Sequence, residues 1–336
     1  MTPMRLQTRA AAIALLLVAL AGAHGTRAYL KTGTMVDGQL VPARWQQMPV
    51  QYDVSEAGVD GVSAEQLRDA VGAAFSSWQA VTTASLRAAF GGFTSASPLD
   101  EDGLSTMGFV ARPDMERTLA ATSNVVDTQT GAIVESDVFF NAAFAWSVAP
   151  SGEPGRYDLQ SIALHEAGHV LGLGHSALGE TATSGGGRRL VAAGSAMFPI
   201  AFAPGSILGR TLWPDDAAGI SDLYPASGFS STTGSIQGTV TKNGQGVVGA
   251  HVVAFSLASG AMVGGFTLDD GGHFVIGALQ PGTYLLRVEP LDDGDVSSYL
   301  DSGNVDTDFG VTFAPDLVAV PAGGSSAAVA IVVRAK

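Results

Sequence analysis

His165-Glu166-Ala167-Gly168-His169-Val170-Leu171-Gly172-Leu173-Gly174-His175 is the most informative stretch of the chain. Residues four apart on a helix lie one turn apart on the same face, so the imidazoles of His165 and His169 converge. His175 follows six residues after His169, off register for a continuing helix. Gly172 supplies the break, because glycine alone takes positive φ without penalty and can turn the chain back under the other two rings. Three imidazoles arranged this way suit a zinc ion, which binds such nitrogens at about 2.0–2.1 Å and keeps an open position when the protein gives only three ligands. Glu166, beside the first ligand, is placed to reach a metal-activated water and not the metal, which is the position of a general base for carbonyl hydrolysis. Half of the six histidines fall inside these eleven residues, a concentration that chance placement on a helix does not explain.

Extended in this way, the stretch resembles the zinc motif of the metzincin metalloproteases, in which a Met-turn follows. Met197, in Ser195-Ala196-Met197-Phe198-Pro199, matches that turn. Within the clan the chain resembles the matrixins. Ser176 directly after the third His, Tyr157-Asp158-Leu159 before the motif, Asp215 to Tyr224 after it, and Phe75-Ser76-Ser77-Trp78 all match that family, over roughly residues 43–225. The resemblance implies a twisted sheet with an active-site helix, one catalytic Zn2+ on His165, His169 and His175, and Glu166 as catalytic base. It also implies that Met197 forms a hydrophobic floor and that Asp215 and Asp216 cap the last helix and brace the Met-turn. Pro199-Ile200-Ala201 then occupies the wall of the pocket for the residue after the scissile bond, and its apolar lining suits a hydrophobic side chain. Two departures stand out. The chain has no cysteine, so a propeptide Cys cannot cap the zinc, and Ala177 to Gly194 is longer than the family's usual span between third ligand and Met-turn.

Upstream, Ser63 and Gln66 form a capping box, and Leu67, Val71, Phe75 and Trp78 recur at helical spacing, which predicts a helix over 63–80. Strand-like runs follow at 105–111, 119–129 and 132–141, the last two joined by a Thr128-Gln129-Thr130-Gly131 turn. Helices are expected over 157–172 and 215–224. Mixed helices and strands in one region read as α+β.

Ser227 to Gly234 has the composition of a flexible linker. Beyond it, apolar or alternating runs at 235–240, 247–255, 273–276, 283–288 and 327–333 are punctuated by Asn243-Gly244, Asp270-Gly271-Gly272 and Pro281-Gly282, which predicts an all-β sandwich. Gly238-Thr239-Val240, Gly249 to Val252, Asp270 to Phe274 and Leu279 to Tyr284 make this region similar to carboxypeptidase regulatory-like domains, a likeness that speaks to fold and hardly to function.

Arg5 and Arg9 followed by the uncharged apolar run Ala10–Gly22 read as an export signal over 1–28, too short to span a bilayer. The expected division is therefore signal 1–28, metalloprotease domain 29–226, linker 227–234 and sandwich 235–336, with no transmembrane segment after signal removal and a secreted or periplasmic location. The 17 basic and 31 acidic residues give a net charge of −14 without Lys/Arg clusters, which argues against nucleic acid as a partner. Asp100, Asp102 and Gly103, and the group from Asp292 to Asp308, read either as Ca2+ sites or as solvated acidic loops. The leading function is a secreted zinc endopeptidase acting on protein or peptide substrates. The competing one is an adhesion protein in which the sandwich gives surface or matrix attachment; Glu166 argues for the first, because a binding protein needs no general base.

Overall fold

A computed structural model describes residues 30–184, 187–300 and 304–336. The expected export signal over 1–28 lies outside the described residues. No helix among the described residues is long and apolar enough to cross a membrane.

The first region is built on a five-stranded sheet: β1 (Val50–Ser55), β2 (Ala88–Thr94), β3 (Thr106–Val110), β4 (Ala120–Val126) and β5 (Ile133–Asn141), in the order β2-β1-β3-β5-β4. All neighbours are parallel except β4, which runs antiparallel to β5 and forms an outer edge. Against this sheet pack α1 (Ala64–Gln79) and α2 (Leu159–Val170), while α3 (Pro214–Leu223) closes the region. The Ser63–Gln66 capping box is present, and Leu67, Val71, Phe75 and Trp78 are buried along one face of α1 as their spacing requires. Trp78 Nε1 donates to the Leu164 carbonyl at 2.9 Å and fixes α1 against α2.

Three strands expected from sequence appear within a few residues of their predicted limits, but β1 and β2 were not anticipated. β1 does alternate, with Val50, Tyr52 and Val54 buried. In β2 the Gly91-Gly92 pair and a mixed burial pattern remove any period, and its pairing with β1 is what makes it a strand. The long stretch after the third histidine folds as a hairpin of β6 (Gly179–Ser184) and β7 (Gly187–Ala193).

The second region is a two-sheet sandwich, giving the α+β then all-β architecture expected. In one sheet β8 (Gly234–Lys242) pairs with β11 (His273–Leu279) antiparallel and β14 (Val329–Val333) parallel. In the other, β10 (Met262–Phe266), β9 (His251–Ser256), β12 (Gly282–Glu289) and β13 (Val318–Val320) are neighbours in that order. Ile236, Val252, Phe274, Leu286, Phe309 and Ile331 fill the space between them. Between the regions, Ser227–Gly234 contains a four-residue helix, Phe229–Thr232, rather than an extended flexible linker, because Phe229 is buried and anchors it.

The two regions share apolar contacts. Ala218 of α3 joins the sandwich core, and Leu30 and Ala177 cluster with Phe266, Leu291, Tyr299 and Leu300. Burying a large apolar side chain contributes roughly 1.5–3 kcal/mol, so these contacts hold the regions in one arrangement.

Candidate metal centre

α2 presents its histidines as the four-residue spacing dictates. Asp158 caps it, accepting from Ser161 N at 2.9 Å, and Arg210 pairs with the same carboxylate. The helix ends in a Schellman turn: Leu173 N bonds the Gly168 carbonyl at 3.0 Å and Gly172 N bonds that of His169 at 2.9 Å. Gly172 has φ +92°, and a Cβ there would meet the Ala43 carbonyl oxygen at 2.3 Å. Both facts demand glycine. The reversal carries His175 back beside the α2 pair.

The Nε2 atom of His169 lies 3.1 Å from that of His165 and 3.2 Å from that of His175. Four-coordinate zinc with nitrogen ligands at 2.0–2.1 Å would place them about 3.3–3.4 Å apart. Each Nδ1 faces a backbone carbonyl: Ala196 at 2.7 Å for His165, Leu173 at 2.8 Å for His169 and Ser298 at 2.6 Å for His175. A carbonyl only accepts, so every Nδ1 carries the proton and, in the neutral rings, every Nε2 carries a lone pair. Three lone pairs pointing at one another have no hydrogen to share. A cation satisfies them, and the donor set therefore fits zinc. Among the described residues these three form the one group of His, Cys, Asp or Glu with metal-ligand spacing.

Burial keeps the rings neutral. It holds His165 below its ordinary value and His169 well below, and depresses His175 to about 3, with the neighbouring His165 adding to the effect and the Ser298 hydrogen bond opposing it. Glu166 points the other way. Burial raises its carboxyl to about 7, partly offset by Thr122 Oγ1 of β4, which donates to Oε2 at 2.7 Å. Thr122, and Asn124, whose amide donates to the His169 carbonyl at 3.1 Å, carried no signal in the sequence; both act from the edge strand.

Met197 is buried beneath α2, and a Cβ on Gly168 would lie 2.2 Å from its Sδ and 2.9 Å from Trp78. Gly168, not singled out from sequence, is the residue that lets the sulfur approach. Asp216 braces this turn, accepting from Ser195 Oγ at 2.5 Å and Ala196 N at 2.8 Å, and also caps α3 through Trp213 N at 2.8 Å. Asp215 has contacts beyond the expected ones. It accepts from Ser176 Oγ at 2.6 Å and from Gly264 N of the sandwich at 2.8 Å, and Ser195 of the Met-turn also favours its carboxylate, so it links the third histidine, the Met-turn and the sandwich. Burial, with Asp216 adjacent, raises Asp215 to about 7.

A cleft of about 1200 Å³ runs over the triad. The edge strand β4 lines one side; Pro199, Ile200 and Ala201 line another; Arg117, Arg188 and Asp295 stand at its rim. The acidic loops behave as solvated turns. Glu135 accepts from Asp102 N and Gly103 N, while Asp292, Asp293 and Asp306 engage Lys336, Thr181 and Lys242 respectively. Among the described residues, which leave out Asp301, nothing there supports calcium. His251 is buried against Glu289 at 2.9 Å, and His273 contacts Asp269.

Residues 44–182, which include all three histidines and Glu166, match the family model described as Matrixin. This part of the chain is similar to the matrixins. Met197 and α3 lie beyond the matched residues. Residues 235–297 match the carboxypeptidase regulatory-like domain, so the chain couples a metalloprotease-type domain to a sandwich of that family. No curated protein matches the chain. Among solved structures, the Bacillus anthracis TIE protein is similar at 15% identity with TM-score 0.21, covering 31% of this chain and 17% of that one. The minor pilin GBS52 of Streptococcus agalactiae is similar at 14% identity with TM-score 0.21, covering 31% and 45%. The chain thus spans less than half the length of either.

Proposed function

We propose that this protein is an exported zinc-dependent endopeptidase working at the His165–His169–His175 centre of its matrixin domain. The observation that carries this reading is the convergence of three unprotonated Nε2 atoms beside a buried carboxylate in an extended cleft. His165, His169 and His175 would hold the ion. When bound, zinc polarises a carbonyl and brings the pKa of a coordinated water towards 7.

The remaining work falls to the chain itself. Glu166 Oε2 is tied to Thr122, which leaves Oε1 to take a proton from water and return it to the leaving amine. In the metal-free site burial raises this carboxyl's affinity for a proton, which favours its role in carrying one. Among the described residues β4 pairs with β5 alone, so its other edge faces the cleft and can add an extended peptide as a further strand. The cleft exceeds the roughly 300–1,000 Å³ of small-molecule sites, which favours a polypeptide substrate. Pro199, Ile200 and Ala201 supply an apolar wall for the side chain after the scissile bond.

The test is a paired assay on purified residues 29–336, recording zinc per chain and casein cleavage beside Glu166→Ala. Zinc uptake with cleavage abolished by the substitution and by a chelator is the expected result. Failure to bind zinc, or a fully active Glu166→Ala, would remove the reading.

A further inference from the structure

We propose that the sandwich is a working part of the metal centre, positioning the third zinc-ligating histidine through the backbone carbonyl of Ser298. The inference rests on the metal-centre reading above and adds a role for the second domain.

The three Nδ1 partners are not equivalent. His165 and His169 find their carbonyls within the first region, on the Met-turn and on the α2 turn. His175 finds its own 123 residues away, on a 3-10 turn of the sandwich, Val296–Ser298. That bond decides the tautomer: with Nδ1–H held by Ser298, the lone pair lies on Nε2, facing the other two rings. Without it, the ring could rotate or place its proton on Nε2, where it would oppose metal binding.

The carbonyl is held in place by design of the loop around it. Leu291, Tyr299 and Leu300 are buried against Leu30, Ala177 and Phe266. The Asp293 carboxylate accepts from Thr181 N at 2.7 Å, and its carbonyl accepts from Thr181 Oγ1 at 2.9 Å. Arg188 donates to the Asp292 carbonyl. Thr181 and Arg188 belong to the β6–β7 hairpin, so the long stretch after the third ligand acts as a bracket between the domains. A second thread reaches the same point: Gly264 N of β10 donates to Asp215, which accepts from Ser176, the residue after His175. Ser298 is thus a positioning residue, acting through its backbone.

The test uses the full chain in three forms: parent, Asp293→Ala, and a form with Asp292–Ser298 replaced by a Gly/Ser segment of equal length. Zinc dissociation constants come from chelator competition, and the coordination geometry from the visible spectrum of the Co2+ form. Thermal melts of the metal-free proteins report folding. Loss of a group that orients a ligand costs about 10- to 100-fold in metal affinity. The segment replacement should weaken zinc by that factor and shift the Co2+ bands, with a smaller change for Asp293→Ala. A merely structural contact would lower the melting temperature and leave the bands in place. Unchanged affinity and bands in a parent that does bind zinc overturn this inference alone; a parent that takes up no zinc overturns the metal-centre reading with it. If the replaced form does not fold, Asp293→Ala decides.

Discussion

Gly168→Ala sets two known effects against each other. Alanine in a helix interior gains about 1 kcal/mol over glycine from propensity. At this position the new methyl would lie 2.2 Å from Met197 Sδ, 3.1 Å from its Cε and 2.9 Å from Trp78 Cζ2. Comfortable contact needs about 3.5–4.0 Å, so the sulfur must retreat by more than an ångström. Trp78 cannot yield easily, being fully buried and tied to the Leu164 carbonyl. Met197 is also buried, with its backbone held by Ser195 and Asp216. Overpacking of this kind costs about 1–3 kcal/mol and should exceed the propensity gain. We expect net destabilisation of up to about 2 kcal/mol, and weaker zinc binding because His169 is the next residue. Urea unfolding of the metal-free protein measures the first, and chelator competition the second. A double-mutant cycle with Met197→Ala isolates the clash: Gly168→Ala should cost less once the thioether is gone. A Gly168→Ala protein as stable as the parent, or more stable, would refute the packing argument.

Three further outcomes are expected. His175→Ala should weaken zinc binding strongly, read by metal content after dialysis; unchanged content would place the third ligand elsewhere. Thr122→Val removes the hydrogen bond that favours the Glu166 carboxylate, so the acid limb of the pH–rate profile should move to higher pH, with activity at pH 6 suffering more than at pH 8. A limb that stays put would separate Thr122 from the base. Asp215 is raised to about 7, so its contribution to stability is present below the ordinary carboxylate range and lost as pH rises through about 7. Asp215→Asn should abolish that share of the pH dependence, a slope of at most ~1.4 kcal/mol per pH unit, seen by comparing urea midpoints at pH 5.5 and 8.5. Identical pH dependence in the two proteins would show that Asp215 does not titrate there.

Which features were legible in the sequence follows from the range of the interactions behind them. The helix of His165 and His169, the glycine break at 172 and the Ser63 cap depend on residues within one or two turns, and all stand where the spacing puts them. The sandwich strands with alternating apolar residues were likewise readable, whereas β10 was hidden by Gly264-Gly265 and β2 by Gly91-Gly92. Neither glycine pair carries a side-chain period, and only pairing partners make those segments strands.

By itself the sequence determined the ligand set expected for zinc, the carboxylate proposed as base and the two fold classes, because spacing on a regular element encodes side-chain direction. Tertiary structure alone decided what surrounds them: Thr122 against Glu166, Met197 against Gly168, and Asp215 against Ser176 and the sandwich. It also decided the Ser298 carbonyl on His175, 123 residues away in the chain. The physical reason is that a backbone carbonyl is offered by every residue alike. No residue type marks the one that folding will bring within 2.6 Å of a particular imidazole.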